Sequence, residues 1–245
     1  MKFHSPIILI GSYKLLKFQM KIFKFKKKIK LLKLSNLLEY KLTNKTINMI
    51  DVEHKFTKAF KNNSENYNKY IEKTFQTAFS IVKKNISYKF INGPISKKKF
   101  LNKKYLGITE YIANKFNIKK NAMLIFNKKL SVCPVTTHLP IKAVSKKITK
   151  KQIIDKVELI NNFYKYYLKK KPKIAVLGLN PHCESVDLFN EDEQIIKPTI
   201  KHLITKKYWI SGPHSADTIF LKQNRKKYDV ILGMYHDQVL TPIKT

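Results

Sequence analysis

The chain has 245 residues, 43% of them hydrophobic, and a formal charge of +34. That apolar share excludes a wholly disordered chain and suffices for one large core or two smaller ones. Of the 50 basic residues, Arg225 alone is an arginine, and the planar arginine fork is what reads base edges best. A lysine excess spread among abundant Asn, Ile, Phe and Tyr therefore points to AT-rich coding rather than to nucleic acid as a partner.

In chain order, Pro6–Gly11 has the pattern of a buried strand, and the lysine-laced stretch Leu15–Leu34 has helical apolar spacing. Ile47–Val52 predicts a second strand. Tyr67–Lys84, with Ile71, Phe75, Phe79 and Val82 on one face, predicts a helix. Tyr88–Ile91 predicts a third strand, followed by Gly93-Pro94-Ile95, and Thr109–Phe116 a short helix. Leu130–Thr136, Lys173–Leu179 and Tyr228–Met234 are three further strand-like runs. Between the first two, Thr149 and Gln152 form a capping-box pattern that opens an apolar stripe from Ile153 to Leu168, and Pro172 closes it. Asn190 is an N-cap candidate, with Glu191, Asp192 and Glu193 where the helix dipole favours carboxylates, and Pro198 kinks or shortens that helix.

Strands alternating with helices of this length predict an α/β fold with a largely parallel sheet covered on both faces. The boundary between two domains falls in the lysine-rich stretch near residues 105–115, giving domains 1–110 and 111–245. Cys133 and Cys183 read as small buried residues of a reduced, cytoplasmic protein. Ile7–Ile10 is too short for a membrane span or a signal core, so no membrane association is expected.

Each of the last three strand-like runs stops just before a histidine: His138, His182 and His236. Ligands of open α/β sheets sit beyond the carboxyl ends of the strands, so three imidazoles delivered there can converge on one metal ion. Their wide separation in sequence excludes a single-helix HExxH arrangement, so the fold must assemble the site. Three protein ligands leave coordination positions open, as catalysis requires.

Thr136-Thr137-His138-Leu139-Pro140, Leu177-Gly178-Leu179-Asn180-Pro181-His182, Gly212-Pro213-His214-Ser215-Ala216-Asp217-Thr218 and Tyr235-His236-Asp237-Gln238 occur in this order. Together they resemble the 4-hydroxythreonine-4-phosphate dehydrogenase family. The resemblance runs from about Gly93-Pro94-Ile95 to the last residue, and more weakly back to Ile7–Gly11. It implies two α/β/α domains of the isocitrate/isopropylmalate dehydrogenase-like fold, the first incomplete, in a chain truncated at both ends. It also implies NAD or NADP, a divalent metal (Zn, Mg or Co), and a homodimer whose metal ligands come from both subunits. The reaction implied is oxidation of 4-phosphooxy-L-threonine and decarboxylation to 3-amino-2-oxopropyl phosphate, on the route to pyridoxine phosphate.

Residue by residue, the resemblance makes His138, His182 and His236 the metal ligands and gives Asp217 and Asp237 supporting acidic roles. Thr109 and Lys244 become substrate contacts. The sequence departs from the family at Ile108, where a substrate-contacting histidine is usual, and at Cys183, where alanine is common. His214 stands at a variable position, and His4, His54 and His202 match nothing. No GxGxxG can be formed from the glycines present, so a Rossmann nucleotide site is not expected. The alternatives are an inactive remnant of the enzyme, a related dehydrogenase of phosphorylated sugar acids, and a basic nucleic-acid-binding protein.

Overall fold

A computed structural model describes residues 5–56, 60, 64–96, 100–101, 104–105, 107–186 and 189–244. The chain divides into two units, Met1–Lys104 and Tyr105–Thr245. Among the described residues no helix is long and apolar enough to cross a membrane.

The first unit holds β1 (Ile8–Gly11), α1 (Tyr13–Ile22), β2 (Ile29–Leu31), β3 (Ile47–Asp51) and α2 (Ser64–Lys83). Its sheet is parallel in the order β1-β3-β2. Ser12 starts α1, its Oγ accepting from Leu15 N at 3.3 Å. The single helical stretch expected over Leu15–Leu34 is instead α1, β2 and a 3-10 turn from Leu34 to Glu39. Lys24 takes a left-handed φ of 51°, and Phe25 N donates back to Met20 O at 2.9 Å, which closes a helix as a Schellman turn does. Ile29–Leu31 then finds β3 as a partner, and that pairing overrides local helical spacing.

The strand expected at Tyr88–Ile91 does not form. Tyr88 and Ile91 are 76% and 79% exposed, and no strand pairs with them. Phe90 packs instead against Phe75 and Phe79 of α2, with ring centroids 5.6 and 6.0 Å apart, so the apolar signal belongs to an aromatic cluster.

The second unit begins with α3 (Ile108–Lys115), β4 (Ser131–Thr136), α4 (Ile141–Lys147) and α5 (Lys150–Phe163). It continues through β5 (Ile174–Leu177), α6 (Lys197–Thr205), β6 (Ile210–His214), α7 (Ala216–Ile219), α8 (Lys222–Arg225), β7 (Val230–Tyr235) and α9 (His236–Lys244). All four strands are parallel, in the order β4-β7-β5-β6. β4 and β5 are buried at every position and β7 at all but Tyr235, which is why these strands read as unbroken apolar runs rather than alternating ones.

One face of the sheet packs Cys133, Val135, Val176 and Met234 against Ile153, Val157, Ile160 and Ile200. The other packs Val132, Ala175, Leu177 and Ile231 against Ile219, Val239 and Leu240. Each such aliphatic side chain contributes about 1.5–3 kcal/mol by leaving water, so the middle of the sheet is the rigid part on which the carboxyl-end turns are built.

Thr149 caps α5, its Oγ1 accepting from Gln152 N at 3.2 Å. The reciprocal half of the capping box is not made, since Gln152 Oε1 has no hydrogen-bond partner among the described residues. A π turn, Tyr164–Leu168, follows α5, and Lys169 ends it with a φ of 52°, ahead of Pro172. Asn190 does cap, its Oδ1 accepting from Asp192 N at 3.0 Å. Pro198 stands in the first turn of α6, just after a second π turn, Asp192–Ile196.

β6 was not expected from the sequence. Gly212 and Pro213 lie inside it, and a proline cannot donate to a ladder, so a central strand would exclude it. β6 is an edge strand, where one side needs no partner.

Candidate functional site

The four parallel strands of the second unit end on one rim, and all three sequence-flagged histidines follow strand ends there. Thr136 and Tyr235 are register partners on adjacent strands. His138 and His236 therefore leave neighbouring strands at the same level, one strand spacing apart. Their ring centroids are 5.7 Å apart. Two imidazoles that share an ion through N–metal bonds of about 2.0–2.1 Å have centroids on the order of 5–6 Å apart, so the pair fits a common divalent cation.

His236 is the first residue of α9, and its Nδ1 lies 2.7 Å from Asp237 Oδ1. The carboxylate accepts the Nδ1 proton, which leaves Nε2 as the free donor atom. His138 has a left-handed φ of 52°. Its neighbour Thr137 donates Oγ1–H to Glu110 Oε1 at 3.0 Å, and Glu110 Oε1 lies 3.6 Å from His138 Nδ1. One step back, Thr136 Oγ1 donates to Met234 O at 2.8 Å and locks β4 to β7 just before the two histidines.

His182 arrives differently, on a tight turn from Pro181 to Cys183 beyond β5. His182 and Cys183 both take left-handed φ values, 55° and 65°, a conformation that costs non-glycine residues roughly 1–2 kcal/mol each. The turn is pinned by Asp192, fully buried, which accepts from Leu179 N at 2.8 Å, Asn180 N at 3.0 Å and Asn180 Nδ2 at 3.0 Å. Gly178 is required beneath it: a Cβ there would stand 2.6 Å from Asp192 Oδ1 and 2.7 Å from Cys183 Sγ. Burial and the charge of Asp192 push the Cys183 thiol upward, so it stays protonated, as its reading as a small buried residue requires.

Among the described residues no three His, Cys, Asp or Glu side chains come together closely enough to hold a metal ion. One chain thus sets His138 beside His236, and among the described residues His182 does not complete a trio with them. Asp217 sits in the first turn of α7. Its carboxyl is held below the usual range, chiefly because Ser215 Oγ donates to it at 2.5 Å, and further because His182 lies within electrostatic reach. Asp217 is thus within electrostatic reach of His182, whereas Asp237 touches His236 directly. Thr109 lies in the first turn of α3, one residue before Glu110. Lys244 is exposed at the far end of α9, two turns or about 12 Å along the helix from His236.

Three residues of the site carried no signal in the sequence reading, or the wrong one. Glu110 precedes its histidine by 28 positions, so only the fold joins them. Asp192 read as a dipole partner, and it holds the His182 turn instead. Gln238 accepts from Met234 N at 2.7 Å through Oε1 and donates to Gly178 O at 2.7 Å through Nε2; its place in the Tyr-His-Asp-Gln motif was the available clue.

A 4-hydroxythreonine-4-phosphate dehydrogenase of Sulfurihydrogenibium sp. is 38% identical over 202 residues, 81% of this chain and 61% of that protein. A D-threonate 4-phosphate dehydrogenase of Pectobacterium atrosepticum is 32% identical over 141 residues, 57% of this chain and 43% of that one. The chain therefore spans about six-tenths of one curated relative and less than half of the other. The crystal structure of a 4-hydroxythreonine-4-phosphate dehydrogenase from Klebsiella pneumoniae superposes with a TM-score of 0.81 at 23% identity, over 98% of this chain and 75% of that one, so the chain shares its isocitrate dehydrogenase-like fold. The family of the pyridoxal phosphate biosynthetic protein PdxA matches residues 2–245, and the chain belongs to that family.

Proposed function

We propose that this protein is a divalent-metal- and NAD(P)-dependent dehydrogenase. It oxidises the secondary alcohol of 4-phosphooxy-L-threonine and releases carbon dioxide, giving 3-amino-2-oxopropyl phosphate for the synthesis of pyridoxal phosphate. The observation that carries this reading is the pairing of His138 and His236 at adjacent strand ends, with Asp237 on the Nδ1 side of His236. His138 and His236 would hold the ion through Nε2. His182 would be the third ligand, supplied within one chain or across a homodimer.

A bound ion would supply Lewis acidity to the substrate hydroxyl and to the ketone formed from it, and a bound nicotinamide would supply the hydride acceptor. Every other part falls to the chain itself. Asp237 keeps the Nδ1 proton of His236 and so fixes its tautomer. Asp192 and Gly178 hold the His182 turn in a conformation it would not adopt alone. Asp217, kept ionised by Ser215, would present a fixed negative charge within electrostatic reach of His182 that favours a cation bound there. Thr109 donates a hydroxyl hydrogen bond and Lys244 a flexible positive charge to the anionic ends of the substrate. No residue is assigned to the nicotinamide, and the turns after β4, β5 and β7 lack the glycine fingerprint of a Rossmann site.

The test is purified protein with Zn or Co ions, NAD or NADP and 4-phosphooxy-L-threonine, followed by reduced nicotinamide and released carbon dioxide. Turnover of that substrate supports the reading. A second reading, favoured by the Pectobacterium relative, is a dehydrogenase of D-threonate 4-phosphate. Turnover of the sugar acid alone would replace the first reading with the second.

A further inference from the structure

Glu110 follows Thr109 in Gly107-Ile108-Thr109-Glu110 and was given no role by the sequence, yet its carboxylate lies on the Nδ1 side of the His138 ring. Oε1 is 3.6 Å from Nδ1, beyond hydrogen-bond length but within reach of a small ring rotation. That oxygen is held in place by Thr137, the residue before the histidine, at 3.0 Å. The other oxygen, Oε2, is buried and has no hydrogen-bond partner among the described residues. A carboxylate oxygen shut away from water without a donor costs about 1–3 kcal/mol or more, so it calls for one.

Gly107 shows where that donor comes from. A Cβ built at Gly107 would stand 2.7 Å from Glu110 Oε2, 2.9 Å from His138 Cε1 and 3.1 Å from His138 Nδ1. The orphaned oxygen and the imidazole Nδ1 therefore border the same small space, which exists because residue 107 has no side chain. The helix dipole alone explains a carboxylate in the first turn of α3. It does not explain why the carboxylate turns to Thr137 and the ring rather than to the free amides of its own helix.

We infer that Glu110 is a positioning residue for His138: it accepts a hydrogen bond from Nδ1–H, so that the proton stays on Nδ1, Nε2 is bare, and Nε2 is aimed at the side where His236 stands. The two histidines would then each be backed by a carboxylate, Glu110 for one and Asp237 for the other. This role rests on the proposed metal site for its purpose, though not for its geometry.

Two readouts separate the two ideas. In metal-free protein, 15N-histidine NMR, with the His138 signals assigned by their loss in His138→Asn, reports the tautomer directly. Wild type shows Nδ1 protonated. Glu110→Ala moves the proton towards Nε2, and Glu110→Gln, which retains an acceptor oxygen, stays close to wild type. In the second readout, Co2+ is titrated and followed by its visible absorption; Glu110→Ala weakens binding by about 10–100-fold. Gly107→Ala keeps every charge and a permitted extended backbone, φ −158°, but puts a methyl group between carboxylate and ring; it weakens Co2+ binding in the same direction. Should Glu110→Ala not fold, Gly107→Ala and Glu110→Gln carry the same comparison.

If wild type binds no Co2+ while the tautomer shifts in Glu110→Ala, the metal site falls and the positioning role stands. If wild type binds Co2+, and Glu110→Ala and Gly107→Ala keep both its affinity and its His138 tautomer, the positioning role is overturned and the metal site stands.

Discussion

Gln238 and Gly178 are joined by a 2.7 Å hydrogen bond from the side-chain Nε2 to the backbone carbonyl. The same side chain accepts from Met234 N at 2.7 Å. One amide thus ties the end of β7, which leads into His236, to the end of β5, which leads into the His182 turn. Both backbone groups are buried beyond regular ladder pairing, so the side chain does for the rim what a further pair of strand bonds would do.

Removing that amide strands two buried backbone groups. Gln238→Leu, similar in volume, lowers stability by about 2–6 kcal/mol, on a cost of roughly 1–3 kcal/mol for each of the two unsatisfied groups. Equilibrium urea unfolding measures it. A midpoint equal to wild type would show that water or a local shift replaces both bonds.

Gly178→Ala tests the His182 turn. The new methyl group would meet Asp192 Oδ1 at 2.6 Å and Cys183 Sγ at 2.7 Å. The carboxylate cannot swing aside without releasing the amides of Leu179 and Asn180. Overpacking of this kind costs about 1–3 kcal/mol. Thermal unfolding monitored by circular dichroism reads the loss, and the same change at Gly93, where nothing lies within 4 Å, serves as the control.

The helix cap is a milder test. Thr149→Ala removes the acceptor for Gln152 N and lowers stability by about 0.5–2 kcal/mol. Thr149→Ser keeps the oxygen and should restore most of it, which chemical denaturation of the two variants compares.

A pH dependence follows from His214. Its Nε2 lies 2.9 Å from Ser211 Oγ and 3.1 Å from Tyr228 Oη. Burial, and then the positive charge of Lys227, hold its pKa below the ordinary 6.5. The unfolded chain therefore binds a proton at this site before the folded one does. Above the unfolded pKa both states are neutral and the site contributes no pH slope. As pH falls through about 6.5 towards the lower folded value, the folded state loses stability. Unfolding free energies of wild type and His214→Gln from about pH 8 to about pH 5 isolate it: wild type declines more steeply. Parallel curves would remove His214 as the cause.

Some of this was legible in the sequence for physical reasons. β4, β5 and β7 are covered on both faces, so their residues are apolar without interruption and mark themselves. The histidines after them inherit that clarity, because a residue placed just past a parallel strand has one rim to occupy. Elsewhere the signal was ambiguous. Lysines between apolar residues kept helical spacing from Leu15 to Leu34, while the actual stop is a left-handed Lys24 with no glycine to announce it. β6 hid behind Gly212 and Pro213, which an edge strand tolerates. Phe90 gave a strand-like signal because it serves an aromatic cluster. Glu110 could not be seen, because nothing within a few residues of it needs a carboxylate; its partner arrives only when β4 docks.

If His138 and His236 grip one divalent cation, zinc affinity depends on both imidazoles. Calorimetric titration of Zn2+ into metal-free wild type, His138→Ala, His236→Ala and, as a control, His202→Ala measures that dependence. Saturable binding is expected in wild type and His202→Ala, and a loss of at least about a hundredfold in each of the other two, in the range of several kcal/mol expected for a lost ligand. Zinc binding of equal strength in all four proteins would rule out a cation shared by these two histidines.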